Sequence, residues 1–137
     1  MKQVVVDASV VVAGLLKDGT VRDALLNAAD IGFSAPSYLK KEVSRHLGRV
    51  AARAQVPVAT AEAILEDLLG VIDLVPPGVY SPWMDVARGM ALRAGALGDE
   101  DYLALALALK APIWTLDKDS LRLQGLRVLS TKDLEGT

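Results

Sequence analysis

Asp99-Glu100-Asp101-Tyr102-Leu103-Ala104-Leu105-Ala106-Leu107-Ala108-Leu109-Lys110 is the stretch on which the architecture turns. Leucine and alanine alternate from Leu103 to Leu109, and a period-two count reads a buried strand. Alanine and leucine are strong helix formers, however, and the acidic residues at 99–101 stand where the exposed N–H groups of a helix start favour negative charge. Lys110 and Pro112 supply the stop. The stretch is therefore read as a helix that is apolar on all sides, and such a helix has to lie inside the molecule.

The segments around it read as short strands ending in carboxylates. Gln3-Val4-Val5-Val6 is dominated by β-branched residues and stops at Asp7, and Ser9 is placed to cap a helix over 10–16. Ile113-Trp114-Thr115 forms a strand that ends near Asp117, and Arg127-Val128-Leu129 a last strand at the sheet edge. Between these ends the pattern predicts a helix over 21–29 after the turn Asp18-Gly19-Thr20, then a strand over 31–34. Next come a helix over 38–54 capped by Ser37, a helix over 61–69, a strand over 71–75 stopped by Pro76-Pro77-Gly78, and a helix over 82–96. The helix over 38–54 carries Leu39, Val43, Leu47 and Val50 as one apolar stripe, with Glu42, Arg45, Arg49 and Arg53 largely off it. Strands alternating with helices define an α/β protein, a three-layer α/β/α sandwich around a parallel sheet of about five strands.

The 137 residues suit one domain over 1–137, long enough to bury a core without disulfides or a structural metal. Cysteine is absent, which removes thiolate zinc sites and cysteine nucleophiles, and the single histidine, His46, leaves no histidine cluster. Carboxylates are the remaining metal ligands. No apolar run reaches the roughly 20 residues that span a bilayer, so no membrane association is expected. The valine-rich start contains Asp7 and is not read as a signal peptide, and the cytoplasm is the expected location. A net charge of −2 argues against a large sequence-independent basic surface for nucleic acid, so any phosphate contact is expected to be local or carried by metal ions.

In sheets of this kind ligands collect beyond the carboxyl ends of the strands, where Asp7 and Asp117 both fall. Glu42 in the long helix and Asp99 at the start of the apolar helix complete four acidic positions. Taken singly, each reads more readily as a solvated turn residue or helix cap than as a ligand.

Taken with their surroundings, these residues resemble the PIN-domain family, whose best-known bacterial members are VapC-type ribonuclease toxins. The resemblance rests on Val5-Val6-Asp7-Ala8-Ser9, on Pro36 followed by Glu42, on Asp99-Glu100-Asp101-Tyr102-Leu103-Ala104-Leu105-Ala106, and on Trp114-Thr115-Leu116-Asp117-Lys118. It runs over nearly the whole chain. It implies that Asp7, Glu42, Asp99 and Asp117 are catalytic and bind one or two Mg2+ or Mn2+ ions, hard cations suited to oxygen ligands. Four converging carboxylates would repel one another and raise one another's pKa, so a divalent cation is their natural partner. Asp99 is preferred over Asp101 because it stands three residues ahead of Tyr102, and two residues apart on a helix point about 200° away from each other. Asp117 is preferred over Asp119 on the pattern Thr-x-Asp.

The implied activity is metal-dependent endoribonuclease hydrolysis of RNA phosphodiester bonds, in a toxin of a toxin-antitoxin pair or in a housekeeping nuclease. The implied partners are RNA substrate, a cognate antitoxin protein, and further copies of the chain in a homodimer or higher oligomer. Ser9 and Thr115 are expected as supporting hydroxyls, with helix capping an equal explanation for Ser9. His46 reads as a surface residue and stays off the catalytic set. Arg45, Arg49 and Arg53 form a basic stripe that suits an RNA backbone, an acidic antitoxin segment, or a solvated face. Trp114 reads as core, while Trp83 has no assigned role.

The alternative is a catalytically idle PIN-fold module that binds RNA or a partner protein, against which stands the presence of all four acids. A phosphoacceptor receiver domain lacks its mid-chain aspartate at a strand end here, since Asp73 lies within a strand. A haloacid-dehalogenase-like phosphatase would need a second aspartate at Ser9.

Overall fold

The structure, a computed structural model, describes residues 2–16, 19–95, 98–116 and 126–135. Five parallel strands make one sheet: β1 (Lys2–Val6), β2 (Ile31–Pro36), β3 (Ile72–Val75), β4 (Ile113–Trp114) and β5 (Val128–Leu129), in the order β3-β2-β1-β4-β5. The chain moves outward from β1 to β3, then returns to the other side of β1 for β4 and β5. This reversal falls between β1 and β4, and the carboxyl ends of those strands are the switch point at which open α/β sheets bind ligands. Val4, Val5 and Val6 are all buried, as expected of a central parallel strand covered on both faces.

The alternating stretch is helical, forming α8 (Glu100–Leu109) among nine α-helices of the described residues. Residues Tyr102 to Ala106 are buried, and α8 packs on β1, β2 and β4, with α6 (Pro77–Tyr80) and α7 (Met84–Ala94) beside it. Its first turn is acidic, and Lys110 closes it in the left-handed region at φ 53°. There the N–H of Lys110 bonds to Leu107 O and that of Ala111 to Ala106 O, so the last carbonyls find partners. Burial overrides alternation here because alanine and leucine satisfy a fully enclosed helix from any side.

The remaining helices are α1 (Ala8–Leu15), α2 (Thr20–Asn27), α3 (Tyr38–Arg45), α4 (Leu47–Ala54), α5 (Val58–Leu69) and α9 (Thr131–Glu135). Four departures from the sequence reading have physical causes. The helix expected over 38–54 is two, because the N–H of His46 bonds back to Val43 O and tightens the turn before α4 begins. Leu39, Val43, Leu47 and Val50 are buried through the break, so hydrophobic period alone runs the two together. The helix expected over 82–96 starts later, after α6 and a 3-10 turn Ser81–Trp83, and ends at Gly95 with φ 71°. Pro77 and Pro82, tolerated only in first turns, divide this region into separate starts. Ser37 and Ser9 are not caps: neither α3 nor α1 has a side-chain cap bond, and Ser9 lies inside α1.

The last departure is an additional helix. Ser130 and Asp133 exchange bonds at the start of α9, Ser130 N–H to Asp133 Oδ2 at 2.9 Å and Asp133 N–H to Ser130 Oγ at 3.1 Å. This reciprocal cap lowers the Asp133 pKa, first through the backbone N–H of Ser130. Leu134 is buried as a result, and Thr131 Oγ1 accepts from the Trp114 indole at 3.2 Å. Trp114 is fully enclosed, with Phe33 tilted against it at 5.8 Å between ring centroids, so it is core as expected.

Candidate active site

Asp7 follows the last residue of β1, where its N–H completes the sheet by donating to Trp114 O at 3.0 Å. The side chain is 5 % exposed, unusual for a carboxylate, and so needs hydrogen bonds in place of water. Two hydroxyls provide them: Ser9 Oγ donates to Asp7 Oδ2 at 2.7 Å and Thr115 Oγ1 to the same oxygen at 2.8 Å. Ser9 is itself held, because its Oγ accepts from the Leu116 N–H at 3.1 Å. The first turn of α1 and the segment leaving β4 thereby clamp one carboxylate from two sides. Both expected supporting hydroxyls are at the aspartate, and for Ser9 this contact replaces the capping role.

Both donors converge on Oδ2, so among the described residues no donor occupies Oδ1. Glu42, half-buried on α3, brings a second carboxylate into range. Its Oε2 accepts from the Tyr102 hydroxyl at 3.0 Å. Burial raises the Glu42 pKa; the Tyr102 hydrogen bond opposes that rise, the charge of Asp7 adds to it, and His46 and Arg45 oppose it. Asp7 and Glu42 therefore share one electrostatic environment. Tyr102 is pushed far above an ordinary phenol by burial, then by Glu42, with smaller contributions from Asp7 and Asp99. Its hydroxyl thus stays a donor, bonded to Glu42 and within the electrostatic reach of Asp7 and Asp99.

Asp99 stands at the N-cap of α8, half-buried. Asp101 turns elsewhere, accepting from the Tyr80 hydroxyl at 3.3 Å, which fastens α6 to α8. Asp117 and Asp119 lie outside the described residues. Among the described residues, no group of three or more His, Asp and Glu side chains is close enough to hold a metal by itself. The donor chemistry nonetheless fits a hard divalent cation: all-oxygen, with one oxygen of Asp7 holding no hydrogen bond from a described residue and the charged form of Glu42 disfavoured by burial and, to a lesser degree, by Asp7. Magnesium in particular binds through one or two carboxylates and keeps several waters. His46 is exposed and bonded to Arg49, in keeping with a surface histidine.

The sequence reading used Tyr102 only as a marker for Asp99 and missed its bond to Glu42. The available signal was the tyrosine itself, since a hydroxyl inside an otherwise alanine-leucine helix has to find a partner when buried.

The family model of the PIN domain matches residues 5–136, and the chain belongs to this family, whose members are generally nucleases. A chain of the VapBC2 complex from Rickettsia felis, crystallised with a DNA fragment from its promoter, superposes with a TM-score of 0.70 at 16% identity. That match covers 93% of this chain and 98% of the other. PAE2754 from Pyrobaculum aerophilum superposes with a TM-score of 0.72 at 18% identity, over 99% of this chain and 91% of the other. Likeness at these identities is one of fold. No curated protein matches the chain in sequence. No helix among the described residues is long and apolar enough to cross a membrane.

Proposed function

We propose that the chain is a divalent-metal-dependent endoribonuclease whose site comprises Asp7, Glu42, Asp99 and Asp117. The observation that carries this reading is the buried Asp7 carboxylate at the switch point, held by two hydroxyls on one oxygen and repelled by Glu42 on another element. Such an arrangement costs stability unless a cation joins it. Mg2+ or Mn2+, when bound, supplies Lewis acidity at a phosphate oxygen and an acidic water.

The residues of the chain do the positioning. Ser9 and Thr115 hold the Asp7 carboxylate so that Oδ1 faces its ligand without reorganisation. Tyr102 holds Glu42 by one oxygen in the same way. Asp99 adds negative charge from the start of α8, and Asp117 is the fourth ligand by its place after β4. Among the described residues no histidine or lysine is bonded to Asp7 or Glu42, so in this reading proton removal rests on the carboxylates and the solvent they order.

The likeness in fold to a chain of a VapBC complex supports a toxin role with an antitoxin protein as partner. Assembly with further copies of the chain and action in the cytoplasm belong to the same proposal and rest on the resemblance of its motifs alone. The test is RNA cleavage with magnesium, manganese or EDTA, beside folded Asp7→Asn and Asp99→Asn variants. Cleavage lost with EDTA and with either substitution is the expected result. Undiminished cleavage in both variants would overturn the assignment, and absence of both cleavage and metal binding in the parent protein would favour an idle binding module.

A further inference from the structure

The exposed face of α3 and α4 leads away from this site with an unusual concentration of positive charge. Residues 38–54 hold five of the chain's 15 lysines and arginines, Lys40, Lys41, Arg45, Arg49 and Arg53, but only one of its 17 acids, Glu42. All five cations are exposed, and Arg45, Arg49 and Arg53 make no ion pair with a described residue. In a protein of net charge −2, such a segment is a local feature, set against an acidic remainder.

The cations are also ordered relative to the carboxylates. Arg45 is three residues past Glu42 on α3, and its charge is felt at that carboxylate. At the break between helices, Arg49 Nη2 donates to His46 Nδ1 at 3.1 Å; arginine has no acceptor, so the histidine nitrogen accepts and anchors the guanidinium. Arg53 follows Arg49 by one turn of α4, on the same face and about 6 Å further along the axis. That step is close to the separation of neighbouring phosphates in an extended single strand.

We propose that Arg45, Arg49 and Arg53 form a cationic track that guides the phosphate backbone of single-stranded RNA to the carboxylate site. This rests on the nuclease reading for its destination, but binding by the track itself does not require cleavage. The planar guanidinium fork suits phosphate oxygens, and contacts to the backbone carry no base preference, so the track holds the strand in register and leaves sequence choice to other residues.

The experiment measures binding of a labelled single-stranded RNA oligonucleotide by fluorescence anisotropy, in EDTA, over a series of potassium chloride concentrations. It uses the full chain carrying Asp7→Asn, with and without Arg49→Gln and Arg53→Gln together. These surface positions leave the core untouched, and circular dichroism verifies the fold. Each lost phosphate contact lowers the slope of log affinity against log salt by about 0.7, so the double variant is expected to lose about 1.4. A control pair of the same charge change, Arg88→Gln and Arg93→Gln on α7, is expected to keep the parent slope. An unchanged slope in the track variant, or an equal loss in the control, overturns the proposal. So does an unchanged RNA slope accompanied by weakened binding to polyglutamate, which would assign the track to an acidic protein segment. A reduced slope in a protein that never cleaves RNA supports the track and counts against the nuclease reading alone.

Discussion

The Tyr102 hydroxyl donates to Glu42 Oε2 at 3.0 Å, joining the buried helix α8 to α3 across 60 positions of sequence. The bond holds one oxygen of a carboxylate that burial and Asp7 both disfavour in its charged form. Tyr102→Phe keeps the ring and removes only the hydroxyl. It is expected to cost about 1.5–3 kcal/mol of stability, as for a hydrogen bond to a charged group, and to raise the Glu42 pKa further. Denaturant melts and carboxyl-carbon NMR titration of Glu42 read the two effects; a fall in that pKa would contradict the account.

Glu42 makes stability depend on pH in a direction opposite to a salt-bridged carboxylate. Its folded pKa is raised above 4.5, so the folded state binds the proton more tightly than the unfolded state. The contribution is therefore present below the unfolded value and lost as pH rises through the folded one. Without divalent ions the melting temperature is expected to fall over that window, and Glu42→Gln to remove that part of the fall. Added Mn2+ is expected to stabilise the parent more at pH 8 than at pH 5. Thermal melts with and without the ion decide it.

Asp7 depends on two hydroxyls. Thr115→Val leaves shape nearly unchanged but takes one donor from a buried carboxylate, and a loss of about 1.5–3 kcal/mol is expected. Adding Asp7→Asn to the Thr115→Val protein should recover part of that loss, because the buried charge is gone. A double-mutant cycle by chemical denaturation measures the coupling; strict additivity would sink the idea.

Asp101 and Asp99 are expected to separate by function. Burial, followed by the Asp101 charge and hydrogen bond, pushes the Tyr80 phenol up to about 12. Asp101→Asn removes the charge and should lower that value, while leaving RNA cleavage intact; Asp99→Asn should abolish cleavage. Because the folded phenol pKa is raised, the stability from Tyr80 is complete below about 10 and disappears as pH climbs through about 12. Ultraviolet titration of the parent and variant proteins, with a cleavage assay on both, checks these expectations.

Lys110 ends α8 in a left-handed conformation, at φ 53°, that costs an L-residue about 1 kcal/mol relative to glycine. Lys110→Gly is expected to recover about 0.5–1 kcal/mol, a rise of a few degrees in melting temperature. No gain in a thermal melt would mean that the lysine side chain contributes contacts of equal weight.

Much of the fold was legible because local propensity and burial agreed. The valines before Asp7, the Ile113-Trp114 pair and the proline stops located strands within one or two residues. Alanine and leucine identified α8 as a helix despite their alternation. What escaped was governed by single hydrogen bonds: His46 turning back to Val43 divided the long helix, and the Ser130–Asp133 exchange started α9. The latter was readable as a serine followed three residues later by an acid, but the short helix carries too few apolar residues to show a period.

For the site, residue type and motif order were enough to nominate Asp7, Glu42 and Asp99, and the place of Asp117 after β4 remains a matter of sequence because it lies outside the described residues. Composition restricted the available metal ligands to carboxylates, since cysteine is absent and histidine occurs once. Only the tertiary structure decided that Ser9 and Thr115 meet on the same oxygen of Asp7, that Tyr102 joins Glu42, and that Asp101 belongs to Tyr80. These contacts connect residues up to 108 positions apart. A linear pattern records which side chains face the core, through periods set by each element alone, whereas the meeting of two elements depends on how the whole sheet orders its strands.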